Sequence, residues 1–349
     1  MRSSLLINHP TDISREMINK LLAMIPDEWD RLNSDFTFRT KLAASCDELI
    51  AAAYGDGDPV ALARIHDALA LIYDQDFRVT ELDRVDCESQ PILRDVAARL
   101  EGAMLDAELA LIPNDLVTGW PTDGREYVRW LKTIILDHGA SKHRLYQSFL
   151  KDDATVDDFR FFMAQETNLD PRFDDILALM QVGTNGAEKM EIAGNYWDEM
   201  GNGTSDDVHT AMFAKTLTAI GVDQDYLAAN LLAEARISGN LSAALSLSRR
   251  HYYKAVGFFA VTEFLVPRRF KCLTEGWRRN NLSEPGIRYH DLHIGIDAVH
   301  ASGWFKNVVA PIVEKDPRTG REIANGALMR LSSSLRYMDA LMDHFDRRE

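Results

Sequence analysis

The chain has 349 residues, enough for two domains or one large one, and its 46% hydrophobic content can fill a substantial core. A formal charge of −15, spread along the chain, excludes nucleic acid and anionic membranes as expected partners. The three cysteines, Cys46, Cys87 and Cys272, lie far apart without a Cys-x-x-Cys, which excludes a thiolate zinc site and fits a reducing cytoplasm.

At the N-terminus the apolar run Leu5-Leu6-Ile7 is too short for a signal peptide, and no stretch approaches the about 18 apolar residues of a membrane helix. A cytoplasmic protein is expected. Periodicity predicts helix nearly throughout and no alternating strand, so the expected fold class is all-α. Thr11 or Asp12 caps a first helix that ends near Pro26. Further helices are predicted over 36–54, 59–74 and 91–111. The breaker-rich connection Gly119-Trp120-Pro121-Thr122-Asp123-Gly124 then marks a boundary. Two domains follow from it: 1–120, a helical packing or dimerisation unit without evident chemistry, and 121–349.

The second domain opens with a helix through Tyr127–Leu136, another reaching Leu150, and one capped by Thr155 that ends near Asn168. Pro171 opens a short helix to Gly183, and Asn185-Gly186 starts one that reaches Met200. Gly201-Asn202-Gly203 breaks that helix, and Thr204-Ser205-Asp206-Asp207 is predicted to cap its successor. The break lets Glu199 and His209, ten positions apart, approach one point, which a straight helix would forbid. Asp206, three residues before His209, is either a further ligand or a helix N-terminal acid favoured by the dipole. Glu188 and Glu191 read as solvated.

A long helix is predicted over 241–273, kinked or ended by Pro267. Within it Glu263 is a lone carboxylate in the run Phe258–Val266. A buried lone glutamate must pair, here with Arg268 or Arg269, or coordinate a metal. After Pro285 comes His293-x-x-x-Asp297-x-x-His300. Its steps of four and three set two imidazoles and a carboxylate on one helical stripe, a first-row metal arrangement. Leu292, Ile294, Ile296 and Val299 predict that this helix is buried on most sides, so its polar stripe needs a partner and a metal supplies one. A disturbance is expected at Pro311, and a last helix over 322–345.

Taken together, Glu199 and His209, then Glu263, then His293, Asp297 and His300 resemble the haem-oxygenase-like diiron oxidases and oxygenases. In that family a Glu and a His on one core helix, a Glu on the next and His-x-x-x-Asp-x-x-His on the third bind two irons and no haem. The thirty positions from Glu263 to His293 and the Asp-Glu-x-Gly-x-Gly lead-in at 198–203 agree with it. The resemblance covers residues 125–349 and implies a haem-oxygenase-like helical bundle with an additional N-terminal helical domain. Some members use such a domain to dimerise, so a homodimer is expected. It further implies two Fe(II) ions as cofactors, O2 as co-substrate, and Asp206 as a seventh ligand where members carry a carboxylate three before the first histidine. The implied substrate is a small, aliphatic amino acid in a biosynthetic pathway. The implied reaction is C–H oxidation such as desaturation, with ring closure as a continuation; N-oxygenation of the amine and oxidative C–C cleavage or decarboxylation are the alternatives.

A substrate carboxylate would call for an arginine fork. The candidates are Arg336 and Arg330 on the last helix, followed by Arg288 and Arg268, with Phe259 as apolar pocket wall. Three rival classes differ in what they predict. A non-enzymatic helical binding protein takes up no iron. A true haem oxygenase needs a proximal histidine and no carboxylate-rich centre. A metal-free enzyme of this fold would not need the full ligand set.

Overall fold

The computed structural model describes residues 12–82 and 85–347, and among these there is helix and no strand. Two compact units divide the chain, Met1–Ala110 and Leu111–Glu349. In the first, Ser14 caps α1 (Arg15–Leu22), its hydroxyl accepting from the Met17 amide at 3.2 Å. Asp12 is not the cap, and Thr11 lies outside the described residues. Pro26 does not close that helix. It opens α2 (Pro26–Asn33), because its fixed φ suits a first turn and its missing N–H costs nothing there. The unit is completed by α3 (Phe36–Ile50), which widens into a π-helical turn at Ala51–Gly55, by α4 (Pro59–Asp76) and by α5 (Pro91–Ala110). Ile18, Leu42, Ile65, Leu69, Leu93 and Leu100 lie in its core.

The second unit begins with α6 (Gly124–Asp137), a π-helical segment Leu145–Asp153, α7 (Val156–Glu166), α8 (Phe173–Met180) and α9 (Gly186–Glu199). Thr155 caps α7 reciprocally with Asp158. After α9 come α10 (His209–Ala219), α11 (Gln224–Asn230), α12 (Ala233–Leu247), α13 (Tyr252–Arg279) and α14 (Glu284–Gly303). A π-helical stretch Trp304–Val309 leads into α15 (Ala310–Lys315), and α16 (Thr319–Asp346) closes the unit. The π register falls on the turn that Pro311 would otherwise disrupt. No helix among the described residues is long and apolar enough to cross a membrane.

The single helix expected over 241–273 is two. Between α12 and α13, Arg249–His251 form one 3-10 turn that no glycine or proline announces. The Arg249 guanidinium holds that turn by bonding the carbonyls of Ser246 and Val182. Pro267, by contrast, ends nothing: α13 runs through it to Arg279.

Two glycines let α13 and α16 approach backbone to backbone. A Cβ on Gly257 would lie 1.8 Å from the Ile323 carbonyl oxygen, and one on Gly326 would lie 1.8 Å from that of Lys254. Overpacking costs about 1–3 kcal/mol where side chains can yield, and here backbone must move instead. Gly257→Ala is therefore expected at or above the upper end of that range, read as a lowered thermal midpoint. An unchanged midpoint would mean the two helices are free to part.

Candidate metal centre

The site starts from the end of α9. Gly201 has a φ of +60, and a Cβ there would sit 2.5 Å from the Asp207 carbonyl carbon, so the chain can double back only because this residue is glycine. Asn202 follows at φ 52. The reversal brings Glu199, the last residue of α9, against His209, the first of α10. Thr204–Asp207 do not cap α10 as expected. Residues 205–207 form a separate 3-10 turn, and Val208 precedes α10 without a side-chain cap. Asp206 is exposed on that turn and is not brought to the cluster. Glu188 and Glu191 are engaged: Glu188 accepts from the Tyr252 hydroxyl, and Glu191 from the Asn307 amide.

Glu263 comes from α13, where both of its carboxylate oxygens are buried without a hydrogen-bond partner. Neither arginine that could pair with it does so. Arg268 stacks over the Phe264 ring at 5.4 Å, while Arg269 donates to the Ala140 carbonyl and lies over Tyr146. Pro267 acts here as well. It lacks the N–H that would bond the carbonyl four residues back, which is that of Glu263, so the ladder is interrupted on the turn that presents this side chain.

The third source is α14, whose stripe of His293, Asp297 and His300 is buried. The helix as a whole is not, contrary to expectation: Leu292 is 36% exposed and Val299 71%. Apolar residues at 292, 294, 296 and 299 spread around the helix circumference rather than along one face, so two of them point to water. Ile294 does pack, against Met212, Phe213, Phe270 and Tyr289.

These elements assemble two buried groups of three, Glu199–His209–His293 and Glu263–Asp297–His300, with the donor atoms of each within 4.8 Å of one another. None of the six residues is more than 4% exposed. His293 and Asp297 stand one turn apart on α14, so the two groups are neighbours. Within the first, His209 Nδ1 lies 2.7 Å from Glu199 Oε2, yet without the direction a hydrogen bond needs. His293 donates through Nδ1–H to the Tyr289 carbonyl at 2.7 Å, which turns its Nε2 toward Glu199. Within the second, His300 Nδ1 is 3.5 Å from both Glu263 and Asp297 and has no hydrogen-bond partner. Buried lone pairs that converge without bonding one another are what a cation satisfies.

The charges agree with this. Burial would raise Glu199, but the His209 and His293 imidazoles outweigh it and hold the carboxyl at about 2. Burial and the like charge of Asp297 push Glu263 up to about 7 against the pull of His300. Burial works against the charge on both helix-α14 histidines. Even so, Asp297 and Glu199 carry His293 up to about 10, and Asp297, Glu263 and Asp198 carry His300 up to about 11. Three imidazoles and three carboxylates form a nitrogen and oxygen donor set without sulfur, suited to ferrous iron.

One contributor escaped the sequence reading. His300 donates its other N–H, Nε2, to Asp198 Oδ2 at 2.9 Å, and the Asn202 amide donates to Asp198 Oδ1. Asp198 thereby fixes which nitrogen of His300 faces Glu263 and Asp297, while its neighbour Glu199 belongs to the other group. Losing such an orienting partner typically costs about 10–100-fold in metal affinity. Asp198→Asn is expected to weaken metal binding at Glu263–Asp297–His300 by that factor and to leave Glu199–His209–His293 nearly unchanged, as read by anaerobic metal titration. Equal weakening at both would argue against this role.

Of the substrate candidates, Arg330 is half-buried on α16. It donates to Ser238 Oγ at 2.7 Å and to Thr262 Oγ1 at 3.1 Å, and Thr262 directly precedes Glu263. It lines a cavity of about 40 Å³ with Arg269, Glu166, Tyr146 and Tyr337; of these the sequence singled out Arg269 alone, and as a partner for Glu263. Glu166 accepts from the Tyr337 hydroxyl at 2.7 Å. Phe259 is fully buried against Phe258 and Phe173. Arg336 is half-buried on α16, and Arg288 pairs with Asp207 at the surface.

A helical bundle carrying two buried nitrogen and oxygen triads defines a metal-dependent redox protein as its class. The chain belongs to the iron-containing redox enzymes of the haem-oxygenase-like superfamily, whose family pattern it matches over residues 160–334, half of its length and a span that contains all six residues of the two groups. Among curated proteins none matches the chain.

Proposed function

We propose that the two triads hold two ferrous ions and that the protein is an O2-dependent oxidase of a small amino-acid substrate. The observation that carries this reading is that both three-residue groups are complete, buried and joined through one helix, α14. Once bound, two ferrous ions would supply two of the four electrons that take dioxygen to water and a substrate C–H position the other two, leaving a ferric pair for an external two-electron reductant to restore. The chain's own residues do the rest. His209, His293 and Glu199 on one side and Glu263, Asp297 and His300 on the other hold the ions. The phenyl wall of Phe258 and Phe259 keeps water out. Arg330 binds the substrate carboxylate. The 40 Å³ cavity that it lines has room for a head group alone, and it presents both charge signs, arginine and Glu166, as a zwitterion requires.

C–H oxidation is favoured over N-oxygenation because Asp206, the residue that spoke for the latter, is exposed and outside both triads. The test is anaerobic loading with Fe(II), then oxygen in the presence of each of the twenty amino acids, following oxygen consumption. One or a few should accelerate it, and Arg330→Met should remove the acceleration while leaving iron uptake intact. If none accelerates it, the substrate class is wrong; if no iron is taken up, the non-enzymatic reading stands.

A further inference from the structure

The six ligands and Arg330 lie inside the second unit, so a substrate needs a way in. A second cavity, of about 380 Å³, opens between the 3-10 turn after α6, the π-helical segment and α13. Its charged lining is Lys142, Arg268 and Arg269 against Asp137 as the one acid, with His143 beside them. In a chain of charge −15 this is a local reversal of sign. Tyr146 and Arg269 belong to the walls of both this cavity and the 40 Å³ cavity at Arg330, so the two cavities meet the same pair of side chains. The Arg269 guanidinium lies over the Tyr146 ring at 5.2 Å and spends one N–H on the Ala140 carbonyl. Tyr146 stands on the nine-residue π-helical segment Leu145–Asp153, a conformation found mostly where function requires it.

We infer that the larger cavity is a carboxylate-selecting vestibule through which the substrate passes, between Tyr146 and Arg269, to Arg330. This rests on the proposed amino-acid oxidase reading and adds the route and its charge selectivity. Arg268 is exposed and lines the larger cavity, Arg269 is half-buried and lines both, and Arg330, also half-buried, lines the smaller, which orders three guanidiniums along the path. Cationic clefts of this kind concentrate anions and exclude cations by focusing the local field.

Cys272 makes the inference testable, because it lines the vestibule half-buried, while Cys46 and Cys87 are buried in the other unit. Iron-free protein would be treated with the anionic reagent sulfonatoethyl methanethiosulfonate or its cationic trimethylammonium-ethyl counterpart. Adducts are located by peptide mass, and rates are normalised to free cysteine. The anionic reagent should react about tenfold faster than the cationic one, and Arg268→Glu should reduce that ratio about tenfold. The Lys151–Glu275 pair and Lys271 near the thiol are the same in both proteins and cancel in the comparison. A ratio equal to that of free cysteine and unmoved by Arg268→Glu overturns the charge selectivity. In the second arm, protein blocked at Cys272 should bind iron as before but lose the acceleration of oxygen consumption by amino acid. Undiminished acceleration overturns the route. Loss of iron uptake in unmodified protein would instead sink the metal reading, and the labelling arm is independent of it.

Discussion

Glu263→Gln is expected to lower iron uptake from two ions per chain to one and to abolish oxygen-dependent oxidation, without destabilising the iron-free protein. The reason is that Glu263 has no hydrogen-bond partner among the described residues. Both of its oxygens are buried and unbonded, it faces Asp297 of like charge, and burial pushes it up to about 7. Leaving such a group unsatisfied costs about 1–3 kcal/mol. An amide of the same volume removes the repulsion while forfeiting the anionic ligand. Glu199→Gln should behave differently. That carboxylate is held at about 2 by two imidazoles, and breaking one side of a buried charged arrangement costs about 3–5 kcal/mol. It should therefore lose iron and stability together. Anaerobic iron titration and thermal unfolding of the iron-free variants separate the two cases. Two ions still bound by the Glu263 variant would dissolve the assignment of the second triad.

The contrast between these two glutamates also marks what the sequence could reveal. The six residues that the structure brings together were legible because each broke a local rule. Glu263 interrupts an apolar run, the His293 stripe repeats at four and three, and Glu199 and His209 flank a glycine break that only a reversal explains. One premise behind the stripe was nevertheless mistaken. The helix was expected to be buried on most sides, yet Leu292 and Val299 face water. The polar stripe is the buried part, so burial of the ligands follows from packing against α10 and α13 and not from the helix's own apolar pattern.

The contacts of Asp198 and Glu166 stayed hidden because they depend on long-range partners. Asp198 meets His300 across 102 positions, and Glu166 meets Tyr337 across 171. No periodicity encodes such contacts. The fold shows the same division. Helices opened by Pro59 and Pro91 or capped by Thr155 lie within a few residues of expectation, whereas Pro26 opens a helix where an end was expected. The break between α12 and α13 was missed because a guanidinium, not a turn residue, holds it. Pro267 is expected to kink or end its helix; it does not end it, and it withholds one bond from the carbonyl of Glu263.

Proton linkage gives the remaining large effect: iron affinity should rise steeply with pH, and the iron-free protein should show the opposite trend in stability. Without metal, His293 titrates near 10 and His300 near 11, so at neutral pH both carry a proton that iron must displace. Each displaced proton makes affinity rise about tenfold per pH unit. Two imply about a hundredfold per unit, with a further contribution below about 7 from Glu263. For the iron-free fold the signs run the other way. Histidines whose folded value is raised contribute stability that is complete below their ordinary 6.5 and is lost as pH rises toward 10 and 11. Glu263, raised from 4.5 to about 7, adds a loss over that lower window. Glu199, depressed to about 2, contributes above 4.5 and loses its contribution only as pH falls through 2. The iron-free protein should therefore melt progressively lower from about pH 6.5 to 10, while the stabilisation conferred by Fe(II) widens over the same range. Anaerobic titrations at pH 6, 7 and 8, with proton release measured in weak buffer, check the first half. Thermal unfolding with and without iron checks the second. A pH-independent iron affinity would mean that the histidines of α14 are not displaced from their protons, and so are not ligands.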